Sequence, residues 1–300
     1  MRFRLEYRES ILSVLCDDGL EGSAYDAMFE ARSAIESKIA EDPFFGMTYD
    51  PYPASPRDPE IVRRMCDASA IAGVGPMAGV AGAVAVSIAE RLVEKGSSFA
   101  IAENGGDIAF YSKEPRLIGI YAAHPVLRDM AFSVSSDRII GICSSSRVVG
   151  PSVSLGNSSI STVFSDDVVL ADCCATALGN LVKDEDALRG AVEKVGAMPG
   201  VTGCMACCRD KVAMCGRIPD MVPAGGGYGL RYLRLVLPHG LQLGLRIGLP
   251  DQQLLARRHG LHHAPAAPRL PVRGGERVHV RHGDGAVSQP ALRGQARVSG

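Results

Sequence analysis

The sequence contains no tryptophan, and aromatic residues make up only 5% of it. It also lacks a strong excess of either charge, because 32 basic residues stand against 33 acidic ones in a chain of 300 residues. Hydrophobic residues account for 46% of the sequence and charged residues for 22%. This balance is typical of a globular protein with one large domain or two small ones. Wholesale disorder, collagen-like chains and disulfide-knot domains are excluded.

A signal for export is also missing. The first ten residues, MRFRLEYRES, are charged and are not followed by the apolar core of a secretory signal. The nine cysteines are an odd number, and two pairs of them are adjacent, Cys173-Cys174 and Cys207-Cys208. This pattern favours reduced thiols over a disulfide framework. We therefore expect a cytoplasmic protein.

One stretch without any charge, residues 68–89, is long enough to cross a bilayer. It consists mostly of Ala, Gly, Val and Ser, and it contains a proline but no leucine or aromatic residue. Such a composition inserts poorly into a membrane. The stretch therefore predicts a buried helix beneath a sheet and no membrane partner.

Residues 1–222 show alternating signals for helices and strands. The spacing of apolar residues predicts helices at 23–39, 76–95, 168–182 and 186–195. Short apolar runs predict a strand pair within 2–14 and strands at 98–102, 108–111, 117–122, 139–143, 152–155, 160–164, 201–207 and 211–216. Asp58 is a candidate N-cap with Pro59 at the first helical position, and Gly96 is a candidate helix end. We predict an α/β (α+β) domain of mixed sheets flanked by helices.

Residues 223–300 have a different composition and are predicted to form an irregular basic tail. From residue 225 onward there are 11 basic residues against three acidic ones, 14 glycines and no lysine. Two hypotheses compete: a natural basic arm for nucleic acid or another polyanion, and a frameshifted translation of a G+C-rich gene. The missing lysine and the aliphatic stretches at 233–237 and 241–249 favour the frameshift, so we do not expect a nucleic-acid partner unless the tail is natural.

A glycine turn lies between two predicted strands, with the residues Asn104, Gly105, Gly106 and Asp107. Paired glycines let the backbone approach a ligand closely, and the N–H groups of such a turn can bind phosphate or carbonyl oxygens. An ordinary hairpin turn is the alternative interpretation.

A second glycine-rich segment, residues 73–79, opens the predicted helix at 76–95 and includes Gly75, Met77 and Ala78. Free amides at a helix N-terminus favour anions, which makes this segment a candidate for phosphate binding. Close packing of the helix through small residues explains the same pattern equally well.

Three serines, Ser144, Ser145 and Ser146, follow the apolar strand predicted at 139–143. Their hydroxyls could hold phosphate or ribose oxygens, with Arg147 adding positive charge. A serine nucleophile is not favoured, because His124 is the one histidine available as its base before residue 224. The alternative is a polar loop.

Asp172 and Thr176 lie four residues apart on the helix predicted at 168–182, so their side chains share one face. A carboxylate and a hydroxyl are a candidate half-site for Mg²⁺, which prefers oxygen ligands and shares them with phosphates. The spacing alone is common.

Four cysteines near the end of the domain, Cys204, Cys207, Cys208 and Cys215, suggest a different class of function. They could bind a soft metal or an iron–sulfur cluster, or take part in redox chemistry. They also fall in a predicted hairpin of alternating pattern, where cysteine behaves as a small buried apolar residue.

Taken in order, four of these segments resemble an ApbE-like family found in methanogenic archaea and some anaerobic bacteria. The segments are GPMAGVAG at 75–82, ENGGD at 103–107, GICSSS at 141–146 and ADCCATA at 171–177. SPRDP at 55–59 and the part from VTG at 201–203 to IP at 218–219 also resemble this family. The match covers residues 1–222 and ends where the composition changes.

The resemblance implies mixed sheets flanked by helices, with a flavin nucleotide bound between subdomains. Members of the superfamily are Mg²⁺-dependent FAD:protein FMN transferases, which attach FMN to a threonine or serine of a target protein, or FAD pyrophosphatases. Asp172 and Thr176 match the metal-binding residues of the Ala-Asp-Ala-x-Ala-Thr-Ala pattern, and a backbone carbonyl near Ala78 completes the implied site. Gly105, Gly106 and Asp107 match the Gly-Gly-Asp turn beside the nucleotide.

The sequence departs from the transferase pattern at two positions and from the pattern of its nearer relatives at two more. Transferases usually carry Ala-Lys-Gly-Tyr-Ala-Val-Asp before the glycine turn, but the lysine position falls on or near Ala81 and the aspartate position near Val86. Arg147 stands where glycine is expected, and Pro151 where histidine is expected. Without the lysine, the stabilisation of phosphoryl transfer weakens. We therefore expect either a Mg²⁺-dependent transferase using FAD and a protein substrate, or a cofactor-binding protein without transfer activity, and the sequence leaves the oligomeric state open.

Overall fold

A computed structural model of the chain describes residues 1–8, 10–120, 127–146, 156–224, 230–236, 242–248 and 281–282. Within these ranges the helices are α1 Glu21–Glu41, α2 Pro43–Met47, α3 Glu60–Ala72, α4 Val80–Glu94, α5 Val168–Leu181 and α6 Ala187–Gly196. The strands are β1 Arg2–Tyr7, β2 Ser10–Cys16, β3 Phe99–Asn104, β4 Asp107–Gly119, β5 Met130–Ser145, β6 Ile160–Ser165, β7 Val201–Cys208, β8 Lys211–Gly216, β9 Asp220–Pro223, β10 Leu230–Val236, β11 Gln242–Gly248 and β12 Arg281–His282.

The strands form one sheet in the order β12-β1-β2-β3-β4-β5-β6-β7-β8. Strand β9 adds to β5, and the β10–β11 hairpin adds to β4 through β11. Every pairing within the described ranges is antiparallel. The predicted fold class, α and β elements with helices flanking a sheet, is confirmed.

Side chains alternate between the two faces of the sheet and enter two separate apolar clusters. On β3, Ala100 and Ala102 pack with the helices, whereas Ile101 belongs to the cluster on the opposite face. Strand β5 bends over that opposite face. The rings of Phe132 and Phe164 lie 5.0 Å apart, although Phe164 pairs in register with Ile142, much further along β5. The bend lets the sheet bury apolar side chains on a face that the helices do not cover.

The charge-free stretch forms a core helix. A 3-10 turn at Pro76–Gly79 precedes α4, so the predicted single helix at 76–95 begins with a tighter turn. The segment Pro76–Glu94 is long and apolar enough to span a membrane. Ala83, Ile88 and Leu92 are nevertheless fully buried among the helices and the sheet, as predicted for a helix beneath a sheet.

The connection before α3 differs from its prediction. Helix α3 begins at Glu60 with Pro59 as its N-cap, so Asp58 is not the cap. The Asp58 carboxylate instead accepts hydrogen bonds from Lys38 Nζ on α1 and from the Ser55 amide, each at 2.8 Å. The connection between α1 and α3 also contains α2, at Pro43–Met47. Its preceding residue, Asp42, accepts a hydrogen bond from the Phe44 amide.

The strand predictions hold from β1 to β8 and miss β9 and the strands of the tail. Residues 117–119 of the strand predicted at 117–122 are the end of β4, and its residues 121–122 lie outside the described residues. The strand predicted at 139–143 lies inside the longer β5. The strand predicted at 152–155 lies outside the described residues. Strands β10, β11 and β12 fall in the tail, where no strands were expected. That residues 1–222 form the domain and that residues 223–300 are a tail of different origin remain predictions.

Candidate functional site

Two aspartates meet on the helix-covered side of the sheet. Asp107 is the first residue of β4, directly after the glycine turn, and Asp172 lies in the second turn of α5. Asp107 is 9% exposed and Asp172 is 6% exposed, and the two carboxyls are close enough for the charge of Asp172 to act on Asp107. The fold therefore buries two acidic groups side by side.

Hydrogen bonds hold the glycine turn in place. Gly105 and Gly106 have φ angles of +69° and +110°, which favour glycine. The Gly106 amide donates to Glu103 Oε1 at 3.0 Å, and Asn104 Nδ2 donates to the Ala81 carbonyl at 3.2 Å. These contacts fix the turn between the sheet and the first residues of α4. Asp107 is therefore presented in one position.

The N-terminus of α4 points at Asp172. The Gly82 amide donates to Asp172 Oδ2 at 2.8 Å, a favourable arrangement for a carboxylate at the positive end of a helix. A Cβ atom on Gly82 would lie 2.9 Å from the Val168 carbonyl oxygen, and one on Gly79 would lie 2.8 Å from Cys173 Sγ. The small residues therefore allow α4 and α5 to pack closely, as the packing interpretation expected.

The segment before α4 also packs closely. A Cβ atom on Gly75 would lie 2.0 Å from the Thr48 carbonyl oxygen, so the backbone at residue 48 occupies this space. The Ala78 amide donates to the Gly75 carbonyl at 3.1 Å within the 3-10 turn, and Met77 and Ala78 remain partly exposed. Close packing explains why residue 75 is a glycine. The roles of Gly75, Met77 and Ala78 in binding a ligand remain predictions.

Burial changes the protonation of the acidic pair. Burial raises the pKa of Asp172 to about 7, against the opposing effect of the Gly82 and Ala81 amides. Burial, followed by the negative charge of Asp172, raises the pKa of Asp107 well above its ordinary value. Near neutral pH the two carboxyls therefore share a proton, unless a cation replaces it.

Thr176 lies one turn after Asp172 on α5 and is partly exposed. Carboxylate and hydroxyl oxygens suit Mg²⁺, which often uses one or two carboxylates together with water and substrate phosphates. Over the described ranges no group of three or more His, Cys, Asp or Glu side chains converges to hold a metal ion. The available oxygens thus fit a Mg²⁺ ion that shares its coordination with a ligand.

The three predicted serines do not share one face. Ser145 is buried and has the same orientation as Cys143, toward the helices. Ser144 points the other way, and its hydroxyl lies 2.9 Å from the Thr162 hydroxyl. Its amide nevertheless donates to Asp107 Oδ1 at 3.3 Å. Ser146 donates to the Ser159 carbonyl at 2.7 Å.

Sequence reasoning missed the hydroxyls on the neighbouring strand. Ser161 pairs in register with Ser145 and is fully buried, and its hydroxyl lies 2.7 Å from that of Ser158. The run SSIST at 158–162 was a signal that could have been used, because every second residue faces the same way in a strand. Arg147 and Pro151 lie outside the described residues.

Comparison with known proteins identifies the family. A family model described as AbpE bacteria matches residues 1–206. The chain belongs to this family. The UPF0280 protein of Methanocella arvoryzae is 41% identical over 226 residues, which cover 75% of this chain and 92% of that protein. The UPF0280 protein of Methanoculleus marisnigri is 41% identical over 229 residues, which cover 75% and 92% of the two chains. The resemblance to an ApbE-like family is thus confirmed.

Solved structures of flavin transferases are more distant. The flavinyl transferase ApbE of Pseudomonas stutzeri has a TM-score of 0.48 and 15% identity, and the match covers 71% of this chain and 94% of that one. The flavin transferase ApbE of Vibrio cholerae has a TM-score of 0.48 and 12% identity, with 72% and 96% covered.

On α4, the two residues that differ from the transferase pattern, Ala81 and Val86, have different surroundings. Ala81 lies in the first turn of α4, partly exposed, with its carbonyl bonded to Asn104. Val86 is buried in the apolar core. The helix therefore carries an alanine beside the acidic pair and an apolar side chain inside the core.

The four-cysteine metal site is not assembled. Cys204 and Cys208 belong to the cluster under the helices, whereas Cys207 belongs to the cluster on the opposite face. Cys215 lies opposite Cys204 and is partly exposed. Because the alternation of β7 sends neighbouring thiols to opposite faces, the prediction of one metal site from all four cysteines is wrong.

Proposed function

We propose that this protein binds a flavin nucleotide, or a related phosphate-bearing cofactor, together with Mg²⁺ at the Asp107–Asp172 pair. The observation that carries the proposal is the burial of two carboxyls beside a glycine turn and a helix N-terminus. Like charges this close cannot both ionise cheaply, so the pair requires a proton or a cation. A site that holds a cation is suited to a ligand that brings phosphate oxygens.

Asp172 and Thr176 would hold the cation, with a backbone carbonyl near Ala78 as a further oxygen. Mg²⁺ bound there would offset the negative charge of the phosphates. The amides of Gly105 and Gly106 and the Asn104 side chain lie beside the acidic pair and would orient the ligand. Ser145 has the orientation of Asp107 and would contribute a hydroxyl, while Ser144 would act through its amide, which donates to Asp107 Oδ1.

Two activities follow from this site. In the first, the protein transfers FMN from FAD to a threonine or serine of a protein substrate in the cytoplasm. In the second, it binds the cofactor without transfer. The second is favoured by Ala81, which supplies no positive charge beside the phosphates, and by the buried Val86.

Thermal unfolding with FAD tests the binding step. We expect FAD to stabilise the purified protein with MgCl₂ and to lose this effect with EDTA. Asp172→Asn and Thr176→Val should both abolish the Mg²⁺-dependent part. Asp137→Asn, at an exposed position on β5, should leave it unchanged. Equal stabilisation of all four proteins by FAD, with or without Mg²⁺, would contradict the site.

Product analysis then separates the two activities. Release of AMP from FAD, with FMN remaining on a threonine-containing acceptor, would establish the transferase. FAD that binds with Mg²⁺ and is recovered intact would establish the cofactor-binding protein. Arginine or lysine introduced at Ala81 should tighten FAD binding, because it places a cation near the phosphates.

A further inference from the structure

The last two strands of the central sheet bring two cysteines together. Cys204 on β7 lies directly opposite Cys215 on β8 in antiparallel register. Residues in such positions point to the same face, with their Cα atoms roughly 4.5–5.5 Å apart. A disulfide requires a Cα separation of roughly 4.4–6.8 Å. The register alone therefore places the two thiols within bonding range.

The side chains of the two cysteines also converge. A Cβ atom built on Gly196, the last residue of α6, would lie 2.6 Å from Cys215 Sγ and 3.7 Å from Cys204 Sγ. Both sulfurs therefore occupy the space beside Gly196, where the glycine contributes no side chain. Any larger residue at this position would displace the sulfur of Cys215.

The neighbouring cysteines have other surroundings. Cys207 is fully buried on the opposite face of the sheet. Cys208 Sγ lies 3.7 Å from the Asn157 carbonyl oxygen, and Cys174 Sγ lies 3.7 Å from Met198 Sδ. These positions make Cys204 the natural partner of Cys215.

The two thiols differ in access. Cys215 is partly exposed, while the other eight cysteines are buried. Burial, followed by the neighbouring Cys215, raises the pKa of the Cys204 thiol to about 12. A reagent in solution therefore reaches Cys215 first, and Cys204 stays protonated until a partner is bound next to it.

We propose that Cys204 and Cys215 form a redox modification site, in which a low-molecular-weight disulfide oxidises the two thiols to one intramolecular disulfide. The Cys215 thiolate, its proton released to solvent, attacks one sulfur of the reagent RSSR. The S–S bond breaks, and the first RS⁻ leaves and takes up a proton. The Cys204 sulfur then attacks Cys215 Sγ, and the second RS⁻ leaves with the Cys204 proton. Two protein thiols are oxidised, and RSSR is reduced to two RSH.

Peptide mapping of the full-length protein tests this site. The reduced protein is incubated with oxidised glutathione, blocked with N-ethylmaleimide and digested with trypsin. Cys204 falls in the peptide 195–209 and Cys215 in the peptide 212–217. We expect the two peptides to be joined and to separate after treatment with dithiothreitol. We also expect nearly complete loss of maleimide labelling at Cys215.

Variants identify which cysteine is bonded to Cys215, since the peptide 195–209 contains Cys207 and Cys208 besides Cys204. Cys207→Ala and Cys208→Ala should still give the joined peptides. Cys204→Ala should lose them and leave glutathione attached to Cys215. Joined peptides that persist in Cys204→Ala would overturn the proposal. So would a wild-type protein in which Cys215 carries glutathione but never forms the cross-link.

Discussion

Within the part of the chain that the structure describes, two buried pairs of ionisable side chains have opposite character. Lys38 and Asp58 carry opposite charges 2.8 Å apart, with 8% and 6% of their side chains exposed. Asp107 and Asp172 are also buried, but their ionised forms have charges of the same sign. The first pair is complete as it stands and ties the connection before α3 to α1. The second pair is incomplete without a proton or a cation, so a function is expected at the second pair.

The pKa values of the two pairs move in opposite directions. Burial raises the pKa of Asp58, but the hydrogen bonds from Lys38 and the Ser55 amide outweigh it and leave the pKa below its ordinary value. Burial raises the pKa of both Asp107 and Asp172. The Lys38–Asp58 pair therefore contributes stability that is lost as the pH falls. The acidic pair contributes stability that is lost as the pH rises.

Breaking the oppositely charged pair should have the largest effect on stability. Asp58→Ala leaves the Lys38 ammonium buried without its partner, which we expect to cost about 3 kcal/mol of unfolding free energy. Urea titration at pH 7 measures the loss. The double variant Lys38→Met with Asp58→Leu should recover most of it, because no charge is left unpaired. A double variant as unstable as Asp58→Ala would show that the ion pair itself, rather than an unpaired charge, matters.

Changing the acidic pair should have a smaller effect that depends on pH. An aspartate whose pKa rises from about 4 to about 7 on folding stabilises the protein at low pH and loses this contribution between those values. In the Mg²⁺-free protein we therefore expect the free energy of unfolding to decline as the pH rises over this range. Asp172→Asn should flatten the decline, because an amide does not titrate in this range. The variant should keep the local structure, because the amide oxygen can still accept the Gly82 N–H.

Added MgCl₂ sharpens this test. The ion should reduce the decline in the wild-type protein and leave Asp172→Asn unaffected, since the variant lacks the Asp172 carboxylate that would hold it. Chemical unfolding from pH 4 to pH 8 provides the measurement. Equal pH profiles for the two proteins would remove the argument that the acidic pair needs a cation.

Much of the fold, and part of the site, could be predicted from the sequence. Apolar spacing predicted α1, α5 and α6 to within a few residues, because each buries apolar side chains over several turns. The strong apolar pattern of 68–89 also predicted that α4 lies in the core. The bend of β5 and the strands of the tail were missed, because strand pairing between distant segments leaves no local signal.

The site shows the same limit. Glycine spacing pointed to Gly105 and Gly106, and helical spacing placed Asp172 and Thr176 on one face. No pattern showed that Gly82 would donate to Asp172 or that Asp107 would lie against it, since residues from three elements meet there. The run Ser144-Ser145-Ser146 predicts one group of hydroxyls, although the alternation along β5 assigns Ser144 and Ser145 to different faces.

Glu103 is another buried acid, and it sharpens the comparison further. It is fully buried, and Oε1 accepts the Gly106 amide, while no partner is found for Oε2 in the described part of the chain. Burial raises its pKa to about 7. Between pH 5 and pH 8, Glu103→Gln should therefore gain about 2 kcal/mol of unfolding free energy relative to the wild type. A difference between the two proteins that does not change with pH would contradict a buried, titrating carboxyl.

An exposed pair of opposite charges should have the smallest effect. Arg189 Nε and Glu193 Oε1 lie 2.8 Å apart on α6, the same separation as in the Lys38–Asp58 pair, but 86% and 57% of their side chains are exposed. Water and salt screen such a pair, so Glu193→Gln should change stability by no more than the error of a urea titration. If Glu193→Gln were as damaging as Asp58→Ala, burial could not explain the difference between the pairs. The two pairs have the same N–O distance. If their variants nevertheless lose different amounts of unfolding free energy, the cost of leaving a charge unpaired determines the loss, and the distance between the charges does not.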